Sequence, residues 1–312
     1  MGEVKNQTQE FFAKAKSKDP KKVPPPARYR YLAEIVGTYI LILFGDGAIC
    51  VAFLADTNIT LFQIVMGWAA AVFLAIYIVG GISGAHINPA VTIPLALSGR
   101  MPKKDALPYI GCQMLGAFLG AATVYMFFMG PWNIRDPTHI EAALSQILNC
   151  HYPNPALYPG AYTLTQGGAA ADAPAALAWA GAHFPLWLGF VTEVIMTFGL
   201  LLTVVSTTDP DSPQHSFWFA GMLIGLYVGF ACFITPTTMT CINPARDWAP
   251  RFFGWLIGYG GIEFPGLRWE FPLIYGIPQI LGGYLAVLFY DHLMKPYFVA
   301  LKIFKSKSEK GE

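Results

Sequence analysis

The chain has 312 residues, of which 54% are hydrophobic and only 12% charged, with a formal net charge of +1 and a mean hydropathy of +0.46. Soluble domains carry roughly 25% charged residues, so the composition excludes an ordinary globular surface, a disordered chain, a nucleic-acid-binding domain and a disulfide-stapled secreted module. Eight of the 20 Lys and Arg lie in residues 1–30 and five in 295–310, which leaves seven for everything between, and that distribution fits a polytopic membrane protein.

A transmembrane helix needs about 20 mostly apolar residues. After the basic tail 1–30, the first such stretch is 31–54; no small-residue cleavage site follows it, so it reads as a permanent span and not a signal peptide. The second is 62–80. The apolar piece 88–97 that follows is too short to cross, and the loop after it is basic, with Arg100, Lys103 and Lys104. The third span is 106–129. Segment 130–183 is rich in Pro, Gly and Ala and reads as an outer cap or loop. The fourth span is 184–205, followed by a loop with Asp209 and Asp211, and the fifth is 217–234. A second short apolar piece, 243–255, precedes the sixth span, 271–290, and the basic tail 291–312. Positive charge marks the cytoplasmic side, so both tails and the first basic loop are expected inside. An even number of spans permits this.

The two halves echo each other. Ala33-Glu34-Ile35-Val36-Gly37-Thr38 answers Thr192-Glu193-Val194-Ile195-Met196-Thr197, and Gly84-Ala85-His86-Ile87-Asn88-Pro89-Ala90 answers Met239-Thr240-Cys241-Ile242-Asn243-Pro244-Ala245. Gln113-Met114-Leu115-Gly116-Ala117 answers Gln279-Ile280-Leu281-Gly282-Gly283. Each half holds three spans, so the second enters the membrane in the opposite orientation. Such inverted repeats place their site near the midplane, where interrupted helices meet. The expected organisation is one channel domain over 31–290, with repeats at about 31–129 and 184–290 joined by the outer loop 130–183.

Each short piece begins Asn-Pro-Ala. Asn is a preferred N-cap and Pro is pre-set for the first helical position, so short helices are expected to start at Asn88-Pro89-Ala90 and Asn243-Pro244-Ala245. Their N-termini, each carrying roughly +0.5 charge, would face one another at the centre and repel a cation or migrating proton. The Asn amides would offer N–H donors to a passing oxygen. Gly84, Ala85, His86, Met239, Thr240 and Cys241 are expected to be extended, with carbonyls forming a ladder of acceptors. Irregular backbone at this depth must line a cavity or be buried in protein. A lone Arg246 at this depth is a functional residue by default, the alternative being an interfacial Arg that snorkels. Glu34 and Glu193 suggest either an ion path or acceptors for the loop N–H groups.

These paired motifs, Ser83-Gly84-Ala85-His86 and the run Asn243-Pro244-Ala245-Arg246-Asp247 resemble the major intrinsic proteins (aquaporins) over about residues 28–290. Asp247 directly after Arg246, with Arg251 four residues on, resembles the aquaglyceroporin or glycerol-facilitator branch. The resemblance implies an all-α membrane protein with six transmembrane helices and two re-entrant half-helices in a right-handed bundle. It implies a passive channel for glycerol and other small neutral solutes, with water, excluding ions and protons. It implies a homotetramer in the plasma membrane, or a bacterial inner membrane. It also implies that Glu34 and Glu193 brace the loops, and a constriction made of Trp68, Ala231, Thr240 and Arg246. Water-selective members carry His where Ala231 stands, so a small residue suggests room for a carbon backbone. Thr240 departs from the bulky aromatic of glycerol facilitators and predicts a wider or more polar opening.

Some residues stay open at this level. Asp46, between Gly45 and Gly47, faces either the outer mouth or a subunit interface; His86 lines the inner mouth or is a buried imidazole. Asp247 is expected to bond locally. The five cysteines show no metal-ligand spacing, but Cys241 falls in the expected pore wall and predicts slowing by mercurials. Rival readings are a water-selective channel, a secondary transporter with an ion-coupling site, and an intramembrane enzyme with a nucleophile–base pair or metal cluster. The sequence shows neither of the last in a usual spacing. No enzymatic activity, cofactor, metal or nucleic acid is therefore expected.

Overall fold

The computed structural model describes residues 25–55, 58–139, 147–150, 185–212, 217–235, 238–260, 263 and 274–310. The N-terminal tail before residue 25 and most of the outer segment lie outside these. Among the described residues the regular structure is helical throughout. The elements are α1 (Ala27–Leu54), α2 (Leu61–Ser83), α3 (Pro89–Leu97), α4 (Lys103–Arg135), α5 (Leu186–Thr208) and α6 (Phe217–Ile234). After them come α7 (Pro244–Gly254), running on through a wide turn over Trp255–Tyr259, and α8 (Ile277–Phe289). A second wide turn, Tyr290–Met294, leads into α9 (Lys295–Lys310).

Local chemistry sets several boundaries. Pro26 and Pro102 stand just before α1 and α4, where a missing N–H costs nothing. Thr60 and Gln63 form a capping box that opens α2, with the Thr60 N–H donating to Gln63 Oε1 at 2.8 Å. Helices α1, α2, α4 and α5 are long and apolar enough to cross a membrane. Outward-facing Phe44, Tyr77, Phe127, Ile195 and Phe230 are exposed, which suits a hydrocarbon surround. Two expected limits shift. The last span begins its long helix only at Ile277, after a break at Gly276, and the expected start at 271–273 lies outside the described residues. The C-terminal region then stays helical to Lys310, with Lys295 paired to Asp209 at 2.9 Å and Lys302 to Asp211 at 3.2 Å.

The halves repeat one packing scheme. Helix α1 packs on α2 and α4, and α5 on α6 and α8, while α2 meets α6 across the halves. Each short helix crosses over: α3 lies against α8 and α7 against α4. Close approach depends on matched glycines. A Cβ at Gly116 would lie 2.3 Å from the Ile35 carbonyl oxygen, and one at Gly282 would lie 2.2 Å from that of Val194. Small residues that let backbones touch are the usual means of packing membrane helices, where burial from water supplies no force between them.

Candidate solute pore

Helices α3 and α7 begin as their Asn-Pro-Ala sequences dictate. Asn88 Oδ1 accepts from the Ala90 N–H at 2.8 Å, and Asn243 Oδ1 accepts from those of Ala245 and Arg246 at 3.0 and 3.3 Å. The amide nitrogens cross between halves. Asn88 Nδ2 donates to the Ile242 carbonyl at 2.8 Å, and Asn243 Nδ2 donates to the Ile87 carbonyl at 2.9 Å. One of the two N–H groups on each amide therefore ties the two helix N-termini together.

The loops before them are not extended as expected. Gly84, Ala85 and Ile87 have φ of 88°, 48° and 46°, and Met239, Thr240 and Ile242 have 54°, 43° and 41°. Left-handed backbone at β-branched residues costs on the order of 1–3 kcal/mol each and persists only where surroundings over-determine it. The surroundings here are two buried carboxylates. Glu34 accepts from the N–H groups of His86 and Ile87 at 3.0 and 2.7 Å, from Ser83 Oγ at 2.6 Å and from Gln113 Nε2 at 2.8 Å. Glu193 accepts from the N–H groups of Cys241 and Ile242 at 3.1 and 2.8 Å and from Gln279 Nε2 at 2.8 Å. The paired glutamines were visible in the sequence as an echo, but nothing there linked them to the carboxylates.

A cavity of about 580 Å³ runs beside these loops, from Arg100, Asp209 and Lys295 at one end to Leu61 and Arg246 at the other. Its wall has two characters. Val72, Ile76, Leu200, Ile224 and Val228 give an apolar side, and the loop residues Gly84 to Asn88 and Met239 to Asn243 give a polar one. His86 lies on it half-buried, its Nδ1 3.2 Å from Thr92 Oγ1.

Trp68, Thr240 and Arg246 meet this cavity together. The Arg246 guanidinium carbon sits 4.7 Å above the Trp68 ring, and its Nη1 donates to the Leu148 carbonyl at 3.3 Å. One sequence expectation changes here and another is qualified. Ala231 is buried off the wall, and its neighbour Cys232 lines the cavity instead. The proton of the Thr240 hydroxyl is directed at the Ala231 and Thr235 carbonyls, 3.1 and 3.0 Å away, beside the Thr235 hydroxyl, so toward a solute its oxygen can act only as an acceptor.

Asp46 gains an environment that the sequence did not reveal. It is fully buried on α1, with Oδ1 3.6 Å from Arg246 Nη2 and neither oxygen hydrogen-bonded. Asp247 bonds locally, pairing with Arg251 Nη2 at 2.8 Å and accepting from the Cys150 N–H at 2.8 Å. Arg251 in turn donates to the Glu263 carbonyl at 2.7 Å and to the Cys150 carbonyl. Outer segment 147–150 is thereby fastened to α7 behind the Arg246 site.

Two inverted halves, joined at the N-termini of paired half-helices and enclosing an amphipathic cavity, define a helical channel fold. Comparison with known proteins agrees. The chain belongs to the major intrinsic protein family, whose model matches residues 25–290. It is similar to the glycerol uptake facilitator protein of Shigella flexneri, 31% identical over 84% of this chain and 87% of the relative. It also resembles the glycerol uptake facilitator of Pseudomonas aeruginosa, at 32% over 84% and 88%. The propanediol uptake facilitator of Citrobacter freundii is 28% identical over 84% and 91%. The X-ray structure of the aquaglyceroporin from Plasmodium falciparum superposes with a TM-score of 0.69 at 24% identity, covering 87% of this chain and 98% of that one.

Proposed function

We propose that this integral membrane protein is a passive channel for glycerol and other small neutral solutes, including water, and that it excludes ions and protons. The observation that carries this reading is the two-sided cavity wall. Apolar side chains of α2, α5 and α6 suit the C–H face of a linear polyol, while Arg246 and the loop backbone suit its hydroxyls. Relatives named as glycerol and propanediol facilitators support the same solute class. The facing N-termini of α3 and α7 supply positive potential at the centre, the dipole barrier of aquaporin-type pores.

In this reading Trp68, Thr240 and Arg246 form the selective constriction, with Cys232 as its small member. Asn88, Pro89, Ala90, Asn243, Pro244 and Ala245 set the two half-helices. Gly84, Ala85, His86, Met239 and Cys241 line the polar side, and Glu34 and Glu193 brace it. The channel domain spans about 31–290, with both termini cytoplasmic, and it works as a homotetramer in a plasma or bacterial inner membrane. A bulky residue at the small position tests the assignment. Cys232→His should slow glycerol flux into proteoliposomes more than water flux; equal losses would reject Cys232 as part of the constriction.

A further inference from the structure

Cys150 and Cys241 stand far apart in the sequence, on different segments. The fold brings their sulfurs and an Asp247 carboxylate oxygen within 4.8 Å of one another, all three residues buried. Both thiols are free. Cys241 belongs to the pore loop and lines the cavity, its Sγ 3.5 Å from the Asn243 carbonyl oxygen. Cys150 is held in place by the bonds of its N–H to Asp247 and its carbonyl to Arg251.

We propose that Cys150 and Cys241 form a two-thiolate site for a soft closed-shell ion such as mercury(II), silver(I) or copper(I), reached through the pore and slowing conduction when filled. Thiolates select soft ions of this kind. Bonds of about 2.3 Å from each sulfur, as in a zinc–thiolate bond, make a linear S–metal–S unit about 4.6 Å long, and the two sulfurs already lie within 4.8 Å of each other. Zinc is a poorer fit because it needs four ligands. Asp247 is already engaged by Arg251 and the Cys150 N–H, which makes it a weak third ligand.

A hydrated cation meets the positive helix ends and Arg246, so the ion enters as a neutral complex. Mercuric chloride is one. Two S–Hg bonds form as two Hg–Cl bonds break; two chlorides leave, each thiol gives its proton to water, and no oxidation state changes. The bound ion ties outer segment 147–150 to the pore loop beside Arg246. Only the cavity is required, so the site does not depend on which solute the channel carries.

The test uses the full-length protein loaded with one equivalent of mercuric chloride. Mercury L-edge X-ray absorption should show two sulfur neighbours at about 2.3 Å; one sulfur and one chloride would overturn the proposal. In proteoliposomes, a competing thiol should relieve the block at least about tenfold faster in Cys150→Ser, because the second bond is intramolecular. Equal release from both proteins would also overturn it. Methylmercury, which makes one bond, should be released equally from both; its release being hastened by Cys150→Ser would mean that Cys150 acts on the pocket and not as a ligand. The sulfur count in the parent decides the matter even if the variant folds poorly.

Discussion

Asp46 and Arg246 are the pair on which the proposed constriction turns. At 3.6 Å, and with an effective dielectric constant of about 20, opposite charges attract by roughly 4–5 kcal/mol. Burying each ion costs several kcal/mol, so the pair is close to break-even, while removing one partner strands the other and costs about 3–5 kcal/mol. Asp46→Asn should therefore lower the melting temperature of the solubilised protein clearly, whereas an unchanged melt would mean that Asp46 does not balance Arg246. The repeat made Glu34, Glu193, Asn88 and Asn243 legible, since each has a matched twin. Asp46 has no twin and its partner is distant in sequence, so only the fold reveals it. Cys232 has no twin either, and only the fold shows that it, and not the buried Ala231 beside it, lines the cavity.

At the scale of elements, the first spans could be read from hydropathy alone, because α1, α2, α4 and α5 are long and continuously apolar. The end of the chain could not. In sequence, helix α9 shows only as a basic tail, because its lysines are visible there while their acceptors, Asp209 and Asp211, lie in a loop without Lys or Arg. Those contacts predict a pH response. Hydrogen bonds from Lys302 and Lys295 hold the Asp211 carboxyl below its usual range. A depressed carboxyl stabilises docking above its unfolded pKa, about 3.9, and that contribution is lost as the pH falls through the folded value. Amide exchange in α9 should stay slow from neutral pH down to about 5 and, after correction for intrinsic rates, quicken below about 4. Protection unchanged at low pH would show that α9 docks through other contacts. At the alkaline end, the hydrogen bond to Asp209 raises the Lys295 ammonium pKa, so its contribution persists to high pH.

For the whole molecule, the inverted repeat explains why strained, polar backbone can sit in the middle of an apolar bundle. Each half supplies one loop-bracing glutamate, one amide-bearing glutamine and one half-helix, and the two Asn side chains join the halves. In the proposed function the positive helix ends act on ions and leave neutral solutes alone, so flux should follow the solute gradient and nothing else. The most direct measurement is stopped-flow light scattering on proteoliposomes of the full chain, with glycerol and then water as permeants, and with a pH-sensitive dye inside. The account predicts rapid glycerol and water equilibration, unaltered by a proton gradient, with no change in internal pH. Fast water flow without glycerol flow, or glycerol uptake that needs the gradient, would contradict it.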